Sequence, residues 1–335
     1  MTVTPQSNTT LCEMAQRMLE CESFALCGHV NPDGDCLGSQ LALGHALQSL
    51  GKTVVNLLVA PNTVDRTLAF LPGADQMIPA EEFQGQAEAF VACDVPTPQR
   101  MGQAAAAVQA VAQVRFTVDH HAVEDCMAEY NYVDPDAPAT GMLIWELIKE
   151  LGVQADAAMA TCCYTALMTD TGRFQYQNTT PEAFHSAMQM VEAGADPVAA
   201  SREAYQRRSL ASLRLEQVML ERLQVSDDGL WAFSYVTQED FQRFGACKAD
   251  AEPLVDVARS LDGLRVALML RDQGEGVRGS LRAKDDETDV ASLARVIGGG
   301  GHKAAAGFTF SGTLDEALAA MPAYLDELVQ KGRVC

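Results

Sequence analysis

Long hydrophobic runs are missing from this 335-residue sequence, and so is the beginning of a secretory signal. Nowhere do 18 consecutive apolar residues occur. The polar segment Met1–Leu11 also lacks the basic region and apolar stretch that a signal peptide needs. These absences argue against a membrane-spanning helix or a membrane partner, and they predict a cytoplasmic protein.

Positive charge is scarce as well. The chain has 24 Lys and Arg residues against 45 Asp and Glu residues, which gives a formal net charge of −21. Binding of long DNA or RNA depends on many contacts between basic side chains and phosphates, so this balance argues against a long duplex as partner. A small anionic substrate remains compatible with the charge if local cations or metal ions offset the field.

Paired cysteine motifs are absent too. The sequence has ten cysteines but neither a CxxC pair nor a zinc-like pair of pairs, and the chain is too long to need a disulfide framework. Cys27 and Cys93 end predicted strands, and Cys162 and Cys163 lie in an apolar helical run. We therefore expect reduced, mostly buried thiols with a packing role.

What is present is the pattern of an α/β protein. A hydrophobic fraction of 48% and a charged fraction of 21% are ordinary for a folded globular chain. In the first half, short apolar runs alternate with amphipathic ones, which predicts a mostly parallel sheet flanked by helices. The predicted strands are Phe24–Cys27, Thr53–Val59, Ala89–Cys93 and Arg115–Val118. The predicted helices are Leu37–Leu50, Ala104–Ala112, Gly141–Leu151, Ala155–Met168 and Pro181–Ala193.

The length predicts two domains, since a typical domain has about 100–200 residues. We expect a first domain over 1–195 and a charged, largely helical connecting segment over 196–223. A smaller α/β domain is expected over 224–335, with strands at Trp231–Val236 and Arg265–Leu270.

The segment from His29 to Asp35 has the strongest chemical pattern. Polar groups recur at every second position in His29-x-Asn31-x-Asp33-x-Asp35, and Pro32 and Gly34 should keep this segment from being an ordinary strand or helix. A loop of this kind can direct one imidazole and two carboxylates to a common point. Nitrogen and oxygen ligands without a thiolate favour Mn²⁺ or Mg²⁺ over a structural zinc. The alternative is an Asx-rich turn that only reverses the chain.

Two further acidic and histidine clusters follow predicted strands. Asp94 comes directly after one strand, and Asp119, His120 and His121 come after another. Ligands of open α/β sheets gather at the carboxyl ends of strands, so we expect these side chains to converge with those near His29. Taken alone, Asp94 could be a helix cap, and the histidines could be surface residues.

The strand geometry sets an expectation for the two adjacent histidines. If the strand continues, Asp119 and His121 face one side and His120 the other, so at most one of these histidines could bind a given ion directly. Asp170 lies where a predicted helix stops at a glycine. It would complete a ligand set of six residues for two ions.

The glycine run Gly298–Gly301 is followed by His302 and Lys303. Consecutive glycines expose backbone N–H groups, so a phosphate or ribose could approach closely. The spacing is not that of a P-loop, and a flexible linker is the alternative. The adjacent His302 and Lys303, with Arg282 upstream, favour an anion site.

In their order along the chain, these segments resemble the DHH/DHHA1 phosphoesterase superfamily. The segments are HVNPDGD, ACD, VDHH, LMTDTGRF, SLRAK and GGGGHKAAAG, and the similarity to its short bacterial members, the nanoRNases or pAp phosphatases, covers nearly the whole chain. The resemblance implies a DHH domain with a mostly parallel sheet, a helical linker and a smaller α/β DHHA1 domain.

The resemblance also implies two divalent metal ions, most readily Mn²⁺, with Mg²⁺ or Co²⁺ as alternatives. One ion would be held by His29, Asp33 and Asp94. The other would be held by Asp35, Asp94, His120 and Asp170, with Asp94 as the bridge. Asp119 and His121 would orient the site or contact the scissile phosphate. Metal-activated water would attack phosphorus, so no Ser or Cys nucleophile is required.

On the substrate side, the resemblance implies anion binding by Arg282, Gly299, Gly300, Gly301, His302 and Lys303, with Arg100 and Arg173 as further phosphate contacts. The expected reaction is hydrolysis of short oligoribonucleotides to mononucleotides and removal of the 3′-phosphate from 3′-phosphoadenosine 5′-phosphate (pAp). A second copy of the chain, in a homodimer, is a further expected partner. The alternatives are a linear or cyclic dinucleotide phosphodiesterase and a non-catalytic nucleotide sensor, which should lack metal ligands.

Overall fold

The computed structural model describes residues 7–122, 126–285, 287–301 and 303–331. The chain divides into two compact units, Met1–Arg207 and Arg208–Cys335. The predicted connecting segment 196–223 spans this division. Its first helix, Pro197–Tyr205, belongs to the first unit and its second, Leu210–Glu221, to the second.

The first unit is built on a six-stranded sheet in the order β3-β2-β1-β4-β5-β6, and every neighbouring pair is parallel. The strands are β1 (Ser23–Cys27), β2 (Thr53–Leu58), β3 (Ile78–Pro79), β4 (Ala89–Cys93), β5 (Val114–Asp119) and β6 (Tyr130–Val133). From β1 to β3 the chain adds strands toward one edge of the sheet, and from β4 to β6 it adds them toward the other edge. The order therefore reverses between β1 and β4, where the loops diverge and open a crevice.

Eight helices accompany this sheet along the described part of the chain. They are α1 (Leu11–Leu19), α2 (Gly34–Ser49), α3 (Pro98–Met101), α4 (Gln103–Val111), α5 (Thr140–Glu150), α6 (Ala157–Asp170), α7 (Pro181–Glu192) and α8 (Pro197–Tyr205). Local signals account for several starts. Thr10 and Glu13 form a capping box at α1, and Thr180 caps α7 with Pro181 at its first position.

Glycines let α2, α5 and α6 pack closely beside the crevice. A Cβ atom on Gly38 of α2 would lie 2.4 Å from the Cys162 carbonyl oxygen, and one on Gly141 of α5 would lie 2.3 Å from the Ala166 Cβ. Any side chain at these positions would push the helices apart. The absence of a side chain therefore brings the first turns of α2 and α5 against α6.

The second unit has a mixed six-stranded sheet in the order β11-β12-β10-β9-β8-β7, in which only β8 and β9 pair in parallel. Its strands are β7 (Gln224–Val225), β8 (Trp231–Val236), β9 (Val266–Asp272), β10 (Val277–Ala283), β11 (Gly300–Gly301) and β12 (Ala305–Phe310). Its helices are α9 (Leu210–Glu221), α10 (Gln238–Phe244), α11 (Lys248–Ala251), α12 (Leu254–Arg259), α13 (Val290–Val296) and α14 (Leu314–Lys331).

The predicted fold class is confirmed as α/β, with a parallel sheet in the first unit and a smaller mixed α/β unit after it. All six strands predicted above are present; Ala89–Cys93 and Trp231–Val236 have the predicted bounds, and the ends of the other four differ by one or two residues. The short strands β3 and β6 and the helix α1 were not predicted. None of the described helices has the length and apolar character needed to cross a membrane.

Candidate metal centre

The sequence clusters converge at the carboxyl ends of β1, β4 and β5. His29 follows β1, Asp94 follows β4, and His120 and His121 follow β5. Since β1 and β4 flank the reversal of strand order, these side chains line the crevice where ligands of such sheets bind. The predicted convergence of the clusters is therefore what the structure shows.

The segment after His29 differs from the loop expected from its sequence. Helix α2 begins at Gly34, and Asp33 caps it by accepting hydrogen bonds from the backbone N–H groups of Asp35 at 3.1 Å and Cys36 at 3.0 Å. Residues 29–33 are neither strand nor helix, as predicted, but the helix already begins at Gly34, inside the segment expected to be a loop. Glycine is required there for packing, because a Cβ atom would lie 2.4 Å from the Thr169 hydroxyl oxygen.

His29 is only 3% exposed, and its imidazole faces two carboxylates. Its Nε2 lies 3.4 Å from an oxygen of Asp94 and 3.7 Å from one of Asp33. Burial by itself would lower the pKa of His29, but the two carboxylates outweigh it and raise the pKa to about 11. Without a metal ion, this imidazole is thus held protonated between the carboxylates.

Arg100 lies beside this histidine. Nδ1 of His29 is 3.0 Å from the Val30 carbonyl oxygen and 3.2 Å from the Arg100 Nη2 atom. A guanidinium only donates, and a carbonyl only accepts, so the two contacts require opposite states of Nδ1. An imidazole that binds metal through Nε2 keeps its proton on Nδ1, donates to Val30 and leaves Arg100 available to a substrate phosphate.

Asp35 lies in the first turn of α2 and is 1% exposed. The N-terminus of α5 holds its carboxylate: the backbone N–H groups of Thr140 and Gly141 donate to it at 2.7 Å and 2.8 Å, and the Ser39 hydroxyl donates at 3.0 Å. Burial and then the nearby charge of Asp94 nevertheless raise the pKa of Asp35 well above its usual range. Hydrogen-bond donors therefore fix the orientation of the Asp35 carboxylate, but they do not provide enough positive charge to keep its pKa at the usual value.

Asp94 occupies the centre of the cluster. One oxygen accepts a hydrogen bond from the Thr140 hydroxyl at 2.9 Å and lies 3.5 Å from Nδ1 of His121 and 3.7 Å from Nε2 of His120. The other oxygen faces His29. Burial would raise the pKa of Asp94, but the surrounding histidines outweigh burial and hold it well below its usual range.

His120 and His121 both reach the cluster. Strand β5 ends at Asp119, so the expected alternation of faces does not continue through the histidines, and their rings meet at 4.9 Å between centroids. Nε2 of His120 lies 3.6 to 3.7 Å from Asp35, Asp94 and Asp170, while the Ala137 carbonyl lies 3.1 Å from its Nδ1. The carboxylates outweigh burial and raise the pKa of His120 to about 10.

Asp119 is fully buried and positions His121. One of its oxygens lies 2.7 Å from Nδ1 of the His121 ring and accepts the His121 backbone N–H at 2.9 Å. Its other oxygen is buried without a hydrogen-bond partner among the described residues. Asp119 thus holds the His121 ring in one orientation, whereas its expected role in orienting the site or contacting the scissile phosphate stays a prediction.

Asp170 ends α6 and brings the remaining carboxylate. Burial raises the pKa of Asp170 to about 6, partly offset by His120. The next turn has an unusual backbone, since Arg173 and Phe174 adopt positive φ values of 65° and 60°. The guanidinium of Arg173 lies 4.7 Å from the centre of the Tyr205 ring, so the structure shows a cation–π contact rather than a contact with the cluster.

Backbone strain is concentrated at this site. In the described part of the chain, non-glycine residues with positive φ are Asn31, Asp94, Arg173 and Phe174. Each lies in a segment that carries a ligand of the cluster or directly follows one. Such conformations cost roughly 1–3 kcal/mol each and persist where surrounding contacts enforce them, which is typical of functional sites.

The side chains fit divalent metal ions. The side chains form three groups of three residues, and within each group the ligand atoms lie within 4.8 Å of one another; two of the groups share Asp94. The groups are His29, Cys36 and Asp94; Asp94, His120 and His121; and Asp35, His120 and Asp170. Cations would offset the burial and the neighbouring negative charges that together raise the pKa values of Asp35 and Asp170. Oxygen and imidazole donors dominate the set, which suits Mn²⁺ or Mg²⁺.

Two residues at the centre were missed by the sequence analysis. Thr140 donates from its backbone to Asp35 and from its hydroxyl to Asp94, and so fixes two carboxylates at once. Cys36 places a thiol beside His29 and Asp94. The position of Thr140 before a predicted helix was the only sequence signal for the first, and nothing distinguished Cys36 from the other buried cysteines.

The predicted anion-binding residues lie in the second unit. Arg282 is on β10 and its Nε is buried with no hydrogen-bond partner among the described residues. Gly299 and Gly301 have a packing role, since Cβ atoms there would lie 2.1 Å and 2.5 Å from carbonyl oxygens of the neighbouring strand. Gly300 faces open space, and Lys303 is exposed. His302 lies outside the described residues.

Comparison with known families agrees with this division. Residues 23–167 match the DHH family, N-terminal domain, and residues 231–331 match the DHHA1 domain. The first match contains most of the clustered ligands, and the second contains Arg282 and the glycine run.

Individual relatives cover almost the full length. The bifunctional oligoribonuclease and PAP phosphatase NrnA of Thermus thermophilus is 31% identical over 306 residues, which are 91% of this chain and 90% of that protein. The protein of the same name from Bacillus subtilis is 25% identical over 85% of this chain and 88% of its own length. The crystal structure of an exopolyphosphatase-related protein from Bacteroides fragilis has a TM-score of 0.89 at 26% identity, covering 96% of this chain and 97% of that one.

The two domain matches, the similarity over nearly the whole length and the buried Asp and His cluster lead to one conclusion. The chain belongs to the DHH/DHHA1 phosphoesterases, a metal-dependent family, and within it to the group of the NrnA proteins.

Proposed function

We propose that this protein hydrolyses short oligoribonucleotides to mononucleotides and removes the 3′-phosphate from pAp, using two divalent metal ions, most readily Mn²⁺. The observation that supports it most directly is the buried cluster at the crevice, with Asp94 shared between groups of ligand atoms. Relatives over most of the chain are named as bifunctional oligoribonuclease and PAP phosphatase. The net charge of −21 favours small substrates over long nucleic acid.

The ligand sets are proposed as the family resemblance implied them. His29, Asp33 and Asp94 would hold one ion, and Asp35, Asp94, His120 and Asp170 the other. When bound, the ions would lower the pKa of the attacking water and neutralise charge on the phosphoryl oxygens.

Hydrogen bonds within the chain orient the proposed ligand side chains. Thr140 fixes Asp94 through its hydroxyl, and the N-terminus of α5 fixes Asp35. The Ala137 carbonyl accepts the Nδ1 proton of His120, which leaves Nε2 as the ligand atom. These contacts hold the donor atoms in place before substrate arrives, so little reorganisation is needed during reaction.

Two side chains at the edge of the cluster are proposed to contact the phosphate. His121 is oriented by Asp119, and its side chain is 21% exposed. Arg100 can turn from Nδ1 of His29 to a phosphate oxygen, to which a guanidinium can donate two parallel hydrogen bonds. Arg173 remains a weaker proposal, because its guanidinium lies against Tyr205.

The second unit is proposed to bind the nucleotide and its phosphate. Arg282 supplies a guanidinium and Lys303 a second cation, and Gly300, where a Cβ atom would meet open space, leaves room for a phosphate to approach the backbone. Within this proposal, 1–195 is the catalytic domain, 196–223 the linker and 224–335 the substrate-binding domain. The role of His302 stays a prediction from the sequence.

A linear or cyclic dinucleotide phosphodiesterase would use the same metal centre, so substrate comparison separates the two functions. Purified protein should be assayed with Mn²⁺ against pAp, a linear diribonucleotide, a cyclic dinucleotide and polyphosphate. We expect the highest kcat/KM values for pAp and the linear diribonucleotide. A preference for the cyclic dinucleotide would replace the proposed function. The sensor alternative loses support because all six expected ligands are present.

Asp94→Ala tests the metal centre. We expect a folded variant without measurable turnover on any substrate, since the shared carboxylate would be lost. Asp75→Ala, at an exposed position of the same unit, is the matched control and should keep wild-type activity. If Asp94→Ala remained active, the bridging role would be wrong.

Arg282→Ala tests the anion site separately. We expect the KM for pAp to rise roughly tenfold with a smaller change in kcat, as for loss of one charge-assisted phosphate contact. Arg295→Ala, an exposed arginine of the same unit, is the control. An unchanged KM in Arg282→Ala would show that this arginine does not bind substrate.

A further inference from the structure

Cys36 is the one thiol of the described residues that joins a group of potential metal ligands. Its side chain is fully buried in the first turns of α2, one residue after Asp35. The ligand atoms of His29, Cys36 and Asp94 all lie within 4.8 Å of one another. A single ion could therefore contact an imidazole nitrogen, a carboxylate oxygen and this sulfur together.

Two contacts hold the Cys36 sulfur next to His29. The backbone N–H of His29 donates a hydrogen bond to Sγ at 3.1 Å. At Gly28, a Cβ atom would lie only 2.1 Å from Sγ, so the absence of a side chain creates the space that the sulfur fills. Among the described residues no hydrogen bond donated by this thiol is found, although Cys27 nearby has the Gly28 carbonyl as acceptor. The Cys36 proton thus has no partner that metal binding would have to displace.

The two proposed ion sites differ in whether a sulfur atom is among their donor atoms. The group formed by Asp35, His120 and Asp170 has only oxygen and nitrogen donors, whereas the group of His29 and Asp94 includes sulfur. Thiolates bind Zn²⁺, Co²⁺ and Cd²⁺ much better than they bind Mn²⁺ or Mg²⁺. A thiol that coordinates a cation gives up its proton, because the metal charge stabilises the thiolate.

We propose that Cys36 is an additional ligand of the ion held by His29 and Asp94, and that it makes this site selective for thiophilic metals while the Asp35, His120 and Asp170 site remains a site for hard cations. The proposal rests on the metal centre of the proposed function. It predicts that the two ions of one molecule need not be the same element.

Cobalt spectroscopy tests the proposal directly on the reduced, full-length protein. Co²⁺ is added to metal-free protein, visible d–d bands report binding, and a near-ultraviolet charge-transfer band reports a sulfur ligand. We expect wild-type protein to show both signals and Mn²⁺ to displace them only in large excess. Cys36→Ser should keep the d–d bands and lose the charge-transfer band. Cys162→Ser, at another buried cysteine, should keep both.

Calorimetry gives the second measurement. Cys36→Ser should weaken Cd²⁺ binding by on the order of tenfold or more, but Mn²⁺ binding by less than about threefold. If Cys36→Ser does not fold, Cys36→Ala takes its place, and the wild-type spectrum alone still decides whether sulfur is a ligand.

The failures are distinguishable. Bound Co²⁺ without the charge-transfer band in wild-type protein, or a band that persists in Cys36→Ser, would overturn the sulfur ligand. Turnover of pAp with Mn²⁺ in that wild-type protein would leave the proposed function intact. Absence of pAp and oligoribonucleotide hydrolysis despite a charge-transfer band would instead overturn the proposed function and leave the sulfur ligand standing.

Discussion

The two units treat buried charge in opposite ways. In the second unit, Asp240 accepts hydrogen bonds from Arg222, and Arg271 pairs with Glu252. In the first unit, the carboxylates of Asp35, Asp94 and Asp170 all lie near Nε2 of His120, and Asp94 also faces His29 and His121. One unit neutralises its buried charges within the chain, whereas the other gathers an excess of like charge.

This difference shows which charges serve stability and which serve function. A buried ion pair with good geometry costs little, but burial and neighbouring carboxylates raise the pKa values of Asp35 and Asp170, so their charged forms are unfavourable without a cation. The chain tolerates that cost at the crevice of the first unit, where metal ions would offset it. The four predictions below are designed to break or sharpen this contrast.

The largest effect is expected at Asp170. Asp170→Asn should lower kcat/KM with Mn²⁺ on the order of a thousandfold, since loss of a ligand costs several kcal/mol of transition-state stabilisation. It should also stabilise the metal-free protein by about 1 kcal/mol above pH 6, because the folded pKa of about 6 makes the charged form unfavourable. Activity assays and urea denaturation measure the two effects.

Asp156→Asn is the matched control, since Asp156 caps the other end of the same helix by accepting the N–H groups of Ala158 and Met159. It should keep activity and change stability by no more than a few tenths of a kcal/mol, since Asn caps a helix about as well as Asp. If Asp170→Asn also lowered metal-free stability, the idea that repulsion is stored at the site would be wrong.

The next effect concerns pH. The folded pKa values of about 11 for His29 and about 10 for His120 lie above the ordinary 6.5, so both imidazoles are protonated in the metal-free protein at pH 7. Their stabilising contribution is complete below pH 6.5 and is lost as pH rises through 10 to 11. Metal binding needs the neutral imidazoles, so it must release protons.

Metal affinity should therefore rise with pH between about 6 and 9, by about tenfold per pH unit for each proton released. Calorimetry in buffers of different ionisation enthalpy counts these protons. Metal binding without proton release would show that the histidines are already neutral and that the carboxylates do not control them.

A smaller effect is expected at Thr140, which belongs to neither proposed ligand set. Thr140→Val should reduce kcat by about 10- to 100-fold, because the Asp94 oxygen loses its 2.9 Å hydrogen bond while the shape of the side chain is kept. Thr140→Ser restores the hydroxyl and should recover most of the activity. Equal losses in both variants would point to packing rather than to the hydrogen bond.

The smallest effect is expected in the second unit, at Asp240. Asp240→Asn weakens its pairing with Arg222 and its capping box with Thr237, and should cost about 1–3 kcal/mol of stability without a change in kcat. The native side chain has a lowered pKa because its hydrogen bonds with Arg222 and Thr237 outweigh burial. Its stabilisation is present above the unfolded pKa near 3.8 and is lost as pH falls through the lower folded value. A loss of activity without a loss of stability would remove the contrast between the units.

Local patterns in the sequence were sufficient for the sheet of the first unit and for the identity of the clustered side chains. Apolar runs of strand length predicted the bounds of β1, β4 and β5 to within one residue. The helices between the strands predicted that the strands are parallel. The polar residues directly after each strand could then be placed at one edge, because parallel strands end on the same side. His29, Asp94 and His120 were located by this reasoning alone.

Tertiary structure decided how those side chains meet. The left-handed backbone at Asp94, the end of β5 before His120 and the close packing of α2 against α6 at Gly38 all depend on contacts between segments distant in sequence. The same contacts brought Thr140 and Cys36 to the cluster. A sequence read locally cannot show which distant groups share a point in space, so the ligand types could be predicted but the grouping of the donor atoms could not.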